Sequence, residues 1–465
     1  MSCTVALRLS AAALGLLVWP AWAAANCEEL AQTQIRKLDP PPLTEPFARD
    51  PATLAAGMAQ LATLSRTAVQ ESIESLAAEH NRSAAQFDLK QAQAARLPNL
   101  TLSGSASAGE YTSIGRRYGF AGTGNASLLL SAPLYDGGRL ESLTRYRDQL
   151  AGASTSDLGA VRERVVRDAL LTVLERNRYR TELQVQQQYV NNLTCLSGMI
   201  ERIVLADGGR ASEQVQARTN LNEAQIRMEN TRVSMRLADA KLLRLLGDAS
   251  AAWSAVVWPL VELPPLDVLL AQVKDNPELR KLEQQAEAQN HLALAAAAER
   301  SPQVRWEVGT NGGRRQELNN YNAWRAGVTL NYQLYDFGVQ DSAAQAARER
   351  AKAARRNWEQ GVKERNNLAV VLRDTASSAF DRATRFSAVM RDSNSLRNAT
   401  YVQWASLGRR SLFDLMAAEG DLNQLQLAYV NAMFEGYSAA VQLRNLSAGL
   451  LPWLAPDLSP TNSQP

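Results

Sequence analysis

Histidine and cysteine, the side chains that most often build metal sites and catalytic centres, are scarce in this chain of 465 residues. The sequence has two histidines, His80 and His291, and three cysteines. Because neither histidine lies near other candidate ligands, a histidine-based metal site or catalytic triad is disfavoured. Phosphate-binding loops, dinucleotide-binding motifs and the Gly-x-Ser-x-Gly motif are also missing. The sequence therefore predicts a protein that is not an enzyme and needs no cofactor.

The chain also lacks an excess of charge of one sign. It has 50 basic and 47 acidic side chains, a formal net charge of +3. The two signs are interleaved, which is typical of solvated helix faces and not of a nucleic-acid-binding patch. We therefore predict no nucleic-acid partner.

Long hydrophobic runs are missing after the N-terminus. The one apolar run, residues 9–18, follows Arg8 and precedes Ala21-Trp22-Ala23. A basic residue, a short apolar core and small residues at this spacing form a secretory signal peptide. A membrane anchor would need about 20 apolar residues. We predict that residues 1–23 direct export and are removed.

Few cysteines remain once this signal is gone. Cys3 leaves with it, and Cys27 and Cys195 stay in the mature chain. An even pair in an oxidising compartment is compatible with a disulfide from the N-terminal arm to a helix, or with two free thiols. Lipid attachment at Cys27 is a third reading, although Asn26 stands where a lipoprotein signal has a small residue.

Internal similarity is abundant. Leu-Tyr-Asp-Gly-Gly at 134–138 recurs as Leu-Tyr-Asp-Phe-Gly at 334–338, and Gly-Arg-Ala-Ser at 209–212 recurs as Gly-Arg-Arg-Ser at 408–411. The markers keep the same order in both halves. The chain is therefore predicted to be an internal duplication.

The segment between the proline and Leu-Tyr-Asp markers differs in length between the halves. Pro98 and Pro302 are 204 residues apart, whereas the Leu-Tyr-Asp motifs are 200 apart. Length changes collect in exposed loops, so each segment is predicted to be a hairpin with an exposed tip. Both segments alternate apolar and polar residues at period two, which predicts strand pairs at 99–135 and 303–335.

These strands are longer than those of most globular sheets and suit tilted membrane strands. Ordinary sheet packing is the alternative. Five aromatic residues near the loop ends lie where an aromatic girdle is expected: Tyr111, Tyr118, Phe120, Tyr321 and Trp324.

Two proline-free stretches follow the hairpins. They are rich in good helix formers and predict helices at 139–206 and 339–407, each about 100 Å long. Helices of this length belong to a coiled coil or a helical tube. Shorter return helices are predicted at 212–246 and 411–448.

The resulting division of the chain has six parts. They are a signal peptide (1–23), an extended arm (24–51), a first repeat (52–247), a linker (248–266), a second repeat (267–450) and a C-terminal tail (451–465).

A hairpin, a long helix, a glycine-containing turn and a return helix, all repeated, resemble the TolC-like outer-membrane efflux and secretion proteins. The match is carried by five motifs: Ala94-Ala95-Arg96-Leu97-Pro98, Pro133-Leu134-Tyr135-Asp136-Gly137-Gly138-Arg139, Asn276-Pro277-Glu278-Leu279, Leu334-Tyr335-Asp336-Phe337-Gly338 and Gly408-Arg409-Arg410-Ser411-Leu412-Phe413-Asp414-Leu415. The resemblance implies a mixed fold, a membrane β-barrel joined to an α-helical barrel. It also implies a homotrimer in which each chain gives four strands to a 12-stranded barrel in the bacterial outer membrane, with the helices in the periplasm.

The same resemblance implies a passive conduit in contact with outer-membrane lipid. Its partners would be a periplasmic adaptor (a membrane fusion protein) and an inner-membrane ABC or RND-type transporter. The cargo would be that of type I protein secretion or of multidrug efflux, and the Leu-Tyr-Asp motifs are closer to the type I branch. The alternative is a periplasmic coiled-coil scaffold or adaptor without a membrane barrel.

The resemblance also assigns candidate site residues. Asp414 aligns with an acidic ring at the pore constriction and Arg410 with a basic latch, although Ala417 stands where some relatives have a second aspartate. A solvated helix N-terminus would equally favour Asp414. The two turns, each read as a glycine, a basic residue and an N-capping serine, would contact the adaptor through Gly209, Arg210, Ser212, Gly408, Arg409 and Ser411.

Overall fold

The computed structural model describes residues 51–113, 116–206, 208–247, 263–315 and 318–458. The predicted signal peptide, most of the N-terminal arm, Cys27 and most of the linker lie outside these residues. Among the described helices, none is both long and apolar enough to cross a membrane.

Helices and strands follow the same order twice. The first repeat contains α1 (Pro51–Glu71), α2 (Ile73–Ala94), β1 (Asn99–Ser113), β2 (Arg116–Tyr135), α3 (Arg139–Ala206) and α4 (Ala211–Leu246). The second contains α5 (Leu266–Gln272), α6 (Pro277–Ala298), β3 (Gln303–Arg315), β4 (Leu318–Asn331), α7 (Val339–Ala405) and α8 (Leu412–Leu446), followed by α9 (Leu451–Leu454). The predicted internal duplication is confirmed.

Some predicted ends need correction. β4 stops at Asn331 and not at 335, because Asn331 pairs with Gln303, the first residue of β3. The matching end of β2 continues to Tyr135 since β3 supplies it with a second neighbour. The helix α7 ends at Ala405 rather than 407, and α8 spans Leu412–Leu446 rather than 411–448.

The four strands form one antiparallel sheet in the order β1-β2-β3-β4. Directly opposed residues share a face. One face is apolar, with cross-strand pairs such as Leu100 and Leu130. The other face is polar, where the Ser103 and Ser127 hydroxyls are hydrogen-bonded at 3.0 Å. The sheet is thus amphipathic, as a sheet that separates an apolar environment from water must be.

The hairpin arms, and not the tips, account for the length difference between the repeats. β1 has 15 residues against 13 in β3, and the tips at 113–116 and 315–318 are matched at an offset of 202. Each arm of the first hairpin is therefore two residues longer. A change of two per arm preserves the alternation of faces.

The aromatic residues near these tips divide between the faces. Trp324 is 82 % exposed and shares the apolar face with Thr310, its partner on β3. Tyr321 lies on the polar face, where its hydroxyl donates to Asn125 Oδ1 at 3.0 Å across Gly313. The girdle prediction is therefore wrong for Tyr321, while the side chains of Tyr111, Tyr118 and Phe120 lie outside the description.

An aspartate starts each long helix in the same way. Asp136 accepts the main-chain amides of Gly138 and Leu140 at 3.0 and 2.7 Å, and Asp336 accepts the corresponding amides at 3.0 and 2.9 Å. The amide of Gln340 is the largest cause that lowers the pKa of Asp336. Both turns need a left-handed residue, which is Gly137 (φ 66°) in one repeat and Phe337 (φ 56°) in the other.

The helices pack in two sets along the two long helices. Near the sheet the order is α2-α3-α6-α7, marked by ion pairs such as Arg147–Asp88 and Lys281–Asp157. Further from the sheet the order is α4-α3-α8-α7. There Lys241 of α4 pairs with Glu175 of α3 at 3.2 Å. The short helices α1 and α9 pack where the two sets meet, against the middle of α3.

A junction of polar side chains connects the two sets. Asn276 is 4 % exposed, and its amide donates to the carbonyls of Asn445 and Ser447 at the end of α8 (2.8 and 3.1 Å). Glu163 of α3, also 4 % exposed, accepts the main-chain amides of Leu450 and Leu451 at 2.6 and 2.8 Å. Together they satisfy the main-chain groups that the chain leaves open between α8 and α9.

Glu163 makes this junction dependent on pH. Burial raises the pKa of its carboxyl to about 7, from 4.5, although the amides of Leu450 and Leu451 act in the opposite direction. Between these values the folded state binds a proton that the unfolded chain releases. The free energy of unfolding therefore falls as the pH rises from 4.5 to about 7.

We expect Glu163→Gln to remove this pH dependence. The stability of the native protein relative to the variant should fall by on the order of 3 kcal/mol as the pH rises through the interval. Thermal unfolding of both proteins across these pH values measures it. Glu201→Gln, on the exposed surface of the same helix, is the control. Parallel pH curves for native protein and Glu163→Gln would contradict the prediction.

Candidate functional site

The turn between α7 and α8 is built as the sequence predicts. Gly408 adopts φ 60°, a left-handed conformation that lets the Arg409 amide reach back to the Gln403 carbonyl at 3.1 Å. Ser411 is the N-cap of α8, and its hydroxyl accepts the Asp414 amide at 3.2 Å. The Asp414 carboxylate in turn accepts the Ser411 amide at 3.0 Å, which completes a capping box.

Asp414 is exposed at this turn. The Ser411 main-chain amide, then the Ser411 hydroxyl and Arg410, lower the pKa of its carboxyl below the ordinary 3.8. The side chain is therefore ionised at neutral pH. Ala417, one helical turn further, is exposed as well, so Asp414 has no second carboxylate at that position.

Arg410 lies beside Asp414 and is also exposed. Its Nε donates to Gln403 Oε1 at 3.3 Å, which ties the start of α8 to the last turns of α7. Within one chain, then, Arg410 is held by an amide from the adjoining helix.

The turn between α3 and α4 is built differently. Residues Gly208–Arg210 form a single 3-10 turn, and Arg210 occupies the N-cap position without a side-chain capping bond. Ser212 is the second residue of α4, so the prediction that it caps the helix is wrong. Arg210 has φ −97° and ψ 16°, whereas the capping Ser411 has the extended backbone (ψ 160°) that aims a side chain at the helix. Arg210 instead pairs with Glu213 at 2.9 Å.

Both turns rest on one hydrophobic cluster, which we call the tip core. Its buried members come from α3, α4, α7 and α8 and include Leu193, Leu196, Ile200, Ala217, Ala224, Trp404, Leu412, Leu415 and Met416. The cluster joins the two predicted tips into one end of the helical region, opposite the sheet.

A buried ion pair behind the tip core was missed by sequence reasoning. Glu419 of α8 and Arg397 of α7 are 3.4 Å apart, and each side chain is 7 % exposed. The signal is present in the sequence, because Glu419 occupies a core position in the run Leu412, Leu415, Glu419, Leu422. An acidic residue in such a stripe indicates a buried partner.

The structure bears on metal binding and on the state of Cys195. In the part of the chain that the structure describes, no group of three or more histidine, cysteine or acidic side chains could hold a metal ion. Cys195 is disulfide-bonded. Cys27 lies outside the described residues, so its pairing with Cys195 stays a prediction.

The two turns allow a matched test of capping. Ser411→Ala should weaken the start of α8 by about 1 kcal/mol, because it leaves the Asp414 amide without its acceptor. Hydrogen exchange of the first turn of α8 should accelerate accordingly. Ser212→Ala is the matched control and should leave the first turn of α4 unchanged; equal effects at the two turns would refute the assignment of caps.

Comparison with known proteins connects this architecture to a family. Residues 64–248 match the model of the outer membrane efflux protein family. No curated protein sequence matches the chain.

Solved structures match over most of the chain. A membrane protein from Pseudomonas aeruginosa superimposes with a TM-score of 0.76 at 18% identity, covering 84% of this chain and 91% of its own. The CmeC outer membrane channel of Campylobacter jejuni gives 0.74 at 14% identity, with 84% and 85% covered. The outer membrane protein VceC of Vibrio cholerae gives 0.72 at 17% identity, with 84% and 96% covered.

At these identities the superpositions show the fold. They confirm the expected combination of a four-stranded antiparallel sheet with long helices. The family match agrees with an outer-membrane transport conduit and with the absence of enzymatic activity. The chain therefore has the fold of the outer-membrane channels, and its first repeat is similar to the outer membrane efflux protein family over residues 64–248.

Proposed function

We propose that three copies of this chain form an outer-membrane channel that serves as the exit duct of a tripartite export system. The observation that carries the proposal is that both the sheet and the helical region end in exposed edges within a single chain. β1 and β4 are the two edges of the described sheet. Strand edges with unpaired main-chain groups are not tolerated in lipid, so these edges must be closed by further strands.

The helices have open edges at the same two sides. Near the sheet the outermost helices are α2 and α7, and further away they are α4 and α7. Each carries large apolar side chains that are at least half exposed in the single chain, among them Ile73, Phe87, Val215, Ile226, Leu237, Val371, Leu396 and Val402. One side of the chain is therefore suited to meet the other side of the next copy, an arrangement that closes into a ring.

The sheet supports a water-filled lumen. Its apolar face presents Leu102, Val328 and Leu330 at 65 to 75 % exposure, as a lipid-facing surface would. Its polar face carries hydroxyls and the Glu307–Arg325 pair, 3.9 Å apart. Eight strands leave room for little more than side chains, and the diameter of a barrel grows with the number of strands. Three copies, the number that the family resemblance implies, provide twelve strands.

The export role follows from the helix tips. They lie at the end of the helices opposite the sheet and expose Gly209, Arg409 and Asp414. A periplasmic adaptor would contact the six tip residues named from the sequence and recruit an ABC or RND-type inner-membrane transporter. The cargo is that of type I protein secretion or of multidrug efflux. In the assembled ring, Asp414 and Arg410 would surround the constriction.

Assembly gives the first test. Detergent extraction of the outer-membrane fraction followed by native mass measurement should give three times the mass of the mature chain. The same particles should conduct ions in a planar bilayer. A monomer in the soluble periplasmic fraction would instead support the alternative, a coiled-coil scaffold without a barrel.

The second test concerns the charge at the proposed constriction. Asp414→Asn removes the charge and keeps a polar group within the capping box. It should reduce the cation preference of the trimer several-fold, measured as the reversal potential in a salt gradient. Asp421→Asn, an exposed aspartate further along α8, is the control. Because the pKa of Asp414 is lowered, the preference should persist into acid at which ordinary aspartates are half protonated. A reversal potential unchanged by Asp414→Asn would remove Asp414 from the constriction.

A further inference from the structure

The helical region has two hydrophobic clusters with a polar break between them. The larger one, the main core, includes Leu174 of α3, Met390 of α7 and Tyr429 of α8 as its members closest to the tips. The tip core begins at Tyr189 on α3, Trp404 on α7 and Met416 on α8.

Polar side chains from all three helices cluster where the facing ends of the two cores meet, and we call them the polar layer: Gln186, Asn192, Arg397, Glu419 and Asn423. The apolar side chain of Leu422 lies among them. Four of them are 6 to 8 % exposed: Gln186, Arg397, Glu419 and Asn423. The main core and the tip core are therefore separate packing units.

Glu419 is the centre of the polar layer. Its Oε1 faces Arg397 of α7 at 3.4 Å, and its Oε2 accepts the Asn192 amide of α3 at 3.1 Å. Arg397 also donates to Asn394 Oδ1 at 2.9 Å. One carboxylate on α8 thus holds both neighbouring helices.

The polar layer is incompletely paired. Within the described residues, the buried atoms Gln186 Oε1, Arg397 Nε and Asn423 Oδ1 have no hydrogen-bond partner. A small cavity bordered by Tyr189, Arg397, Glu419 and Asn423 lies beside them. Buried polar groups without partners are costly, so an arrangement in which they find partners or water competes with the one observed.

The polar layer lies close to the turn between α7 and α8. Arg397 lies eight residues before the end of α7 and Glu419 seven after the start of α8, about 10–12 Å of helix. We propose that the polar layer positions the tips, because the Arg397–Glu419–Asn192 contacts hold the tip core against the main core. When these side chains exchange their contacts for other partners, the tip core moves as a unit and the constriction opens. The proposal rests on the proposed channel function for its last step only.

A second ion pair provides the matched control. Arg382 and Glu435 join the same two helices, α7 and α8, at 2.6 Å. Their side chains are about half exposed, at 48 and 47 %, and they lie beside the main core. Loss of an exposed pair has little consequence, whereas loss of one partner of a buried pair leaves a charge without compensation.

The experiment compares three variants of the full-length trimer by hydrogen exchange and by single-channel recording. Glu419→Gln leaves the Arg397 guanidinium buried without a counter-charge. Exchange in the last turns of α7 and the first turns of α8 should accelerate at least about tenfold, and open events should become more frequent. Glu435→Gln should match the native protein in both measurements.

The double variant Arg397→Met with Glu419→Leu replaces the pair by apolar side chains and joins the two cores. Its tip should exchange more slowly than the native tip, and open events should become rarer. This variant also decides the matter if Glu419→Gln does not assemble. Exchange at the tip that is the same in Glu419→Gln and Glu435→Gln, or a double variant whose tip exchanges as fast as the native one, would overturn the proposal.

The two measurements separate the proposals. If the native trimer does not conduct, the channel function fails while hydrogen exchange still tests whether the polar layer holds the tip. If the native trimer conducts and the tip exchanges as expected but open events do not change, the polar layer does not control the constriction and the inference fails alone.

Discussion

Main-chain hydrogen bonding at the edges of the sheet is the constraint on which the rest of this structure depends. A four-stranded sheet with one apolar and one polar face separates two environments, but it leaves β1 and β4 with unpaired amides and carbonyls. In water those groups would be solvated; in hydrocarbon they must be paired. The proposed closure by further copies would also account for the exposed apolar flanks of the helices below the sheet, since a ring of strands would impose the same ring on the helices that follow them.

The helices remain in contact with one another over some 100 Å. Apolar packing alone would join α3, α7 and α8 from end to end. The interruption at Glu419 and Arg397 divides them into a long main core and a short tip core. The junction at Glu163 and Asn276 instead connects the two sets of helices, because these side chains bond main-chain groups of Asn445, Ser447, Leu450 and Leu451.

Much of the fold could be predicted because it is encoded by residues close together in the chain. Asp136 and Asp336 start their helices through amides two and four residues away, and Ser411 caps α8 through Asp414. The strand pairs followed from alternation at period two. Such signals need no knowledge of the neighbouring elements.

The sequence predictions were wrong or incomplete where the structure depends on contacts beyond a residue's immediate sequence neighbours. Ser212 repeats the motif of Ser411, but a 3-10 turn and the Arg210–Glu213 pair place the N-cap two residues earlier, at Arg210, and leave the Ser212 hydroxyl outside the cap. β4 ends at Asn331 because its partner strand β3 begins at Gln303, which lies far from Asn331 in the sequence. In the sequence Glu419 resembles many other charged helix residues. Its role depends on its buried ion pair with Arg397, which lies 22 residues earlier in the sequence.

The unequal hairpins have a consequence for the outer mouth of a closed barrel. Two additional residues per arm lengthen the first hairpin by about 7 Å relative to the second. Around a threefold ring the rim would alternate between three high and three low hairpins. The three shorter hairpins would leave three recesses that face the cell exterior, each between two longer hairpins. Large molecules outside would therefore meet the six hairpins of the mouth at two different heights.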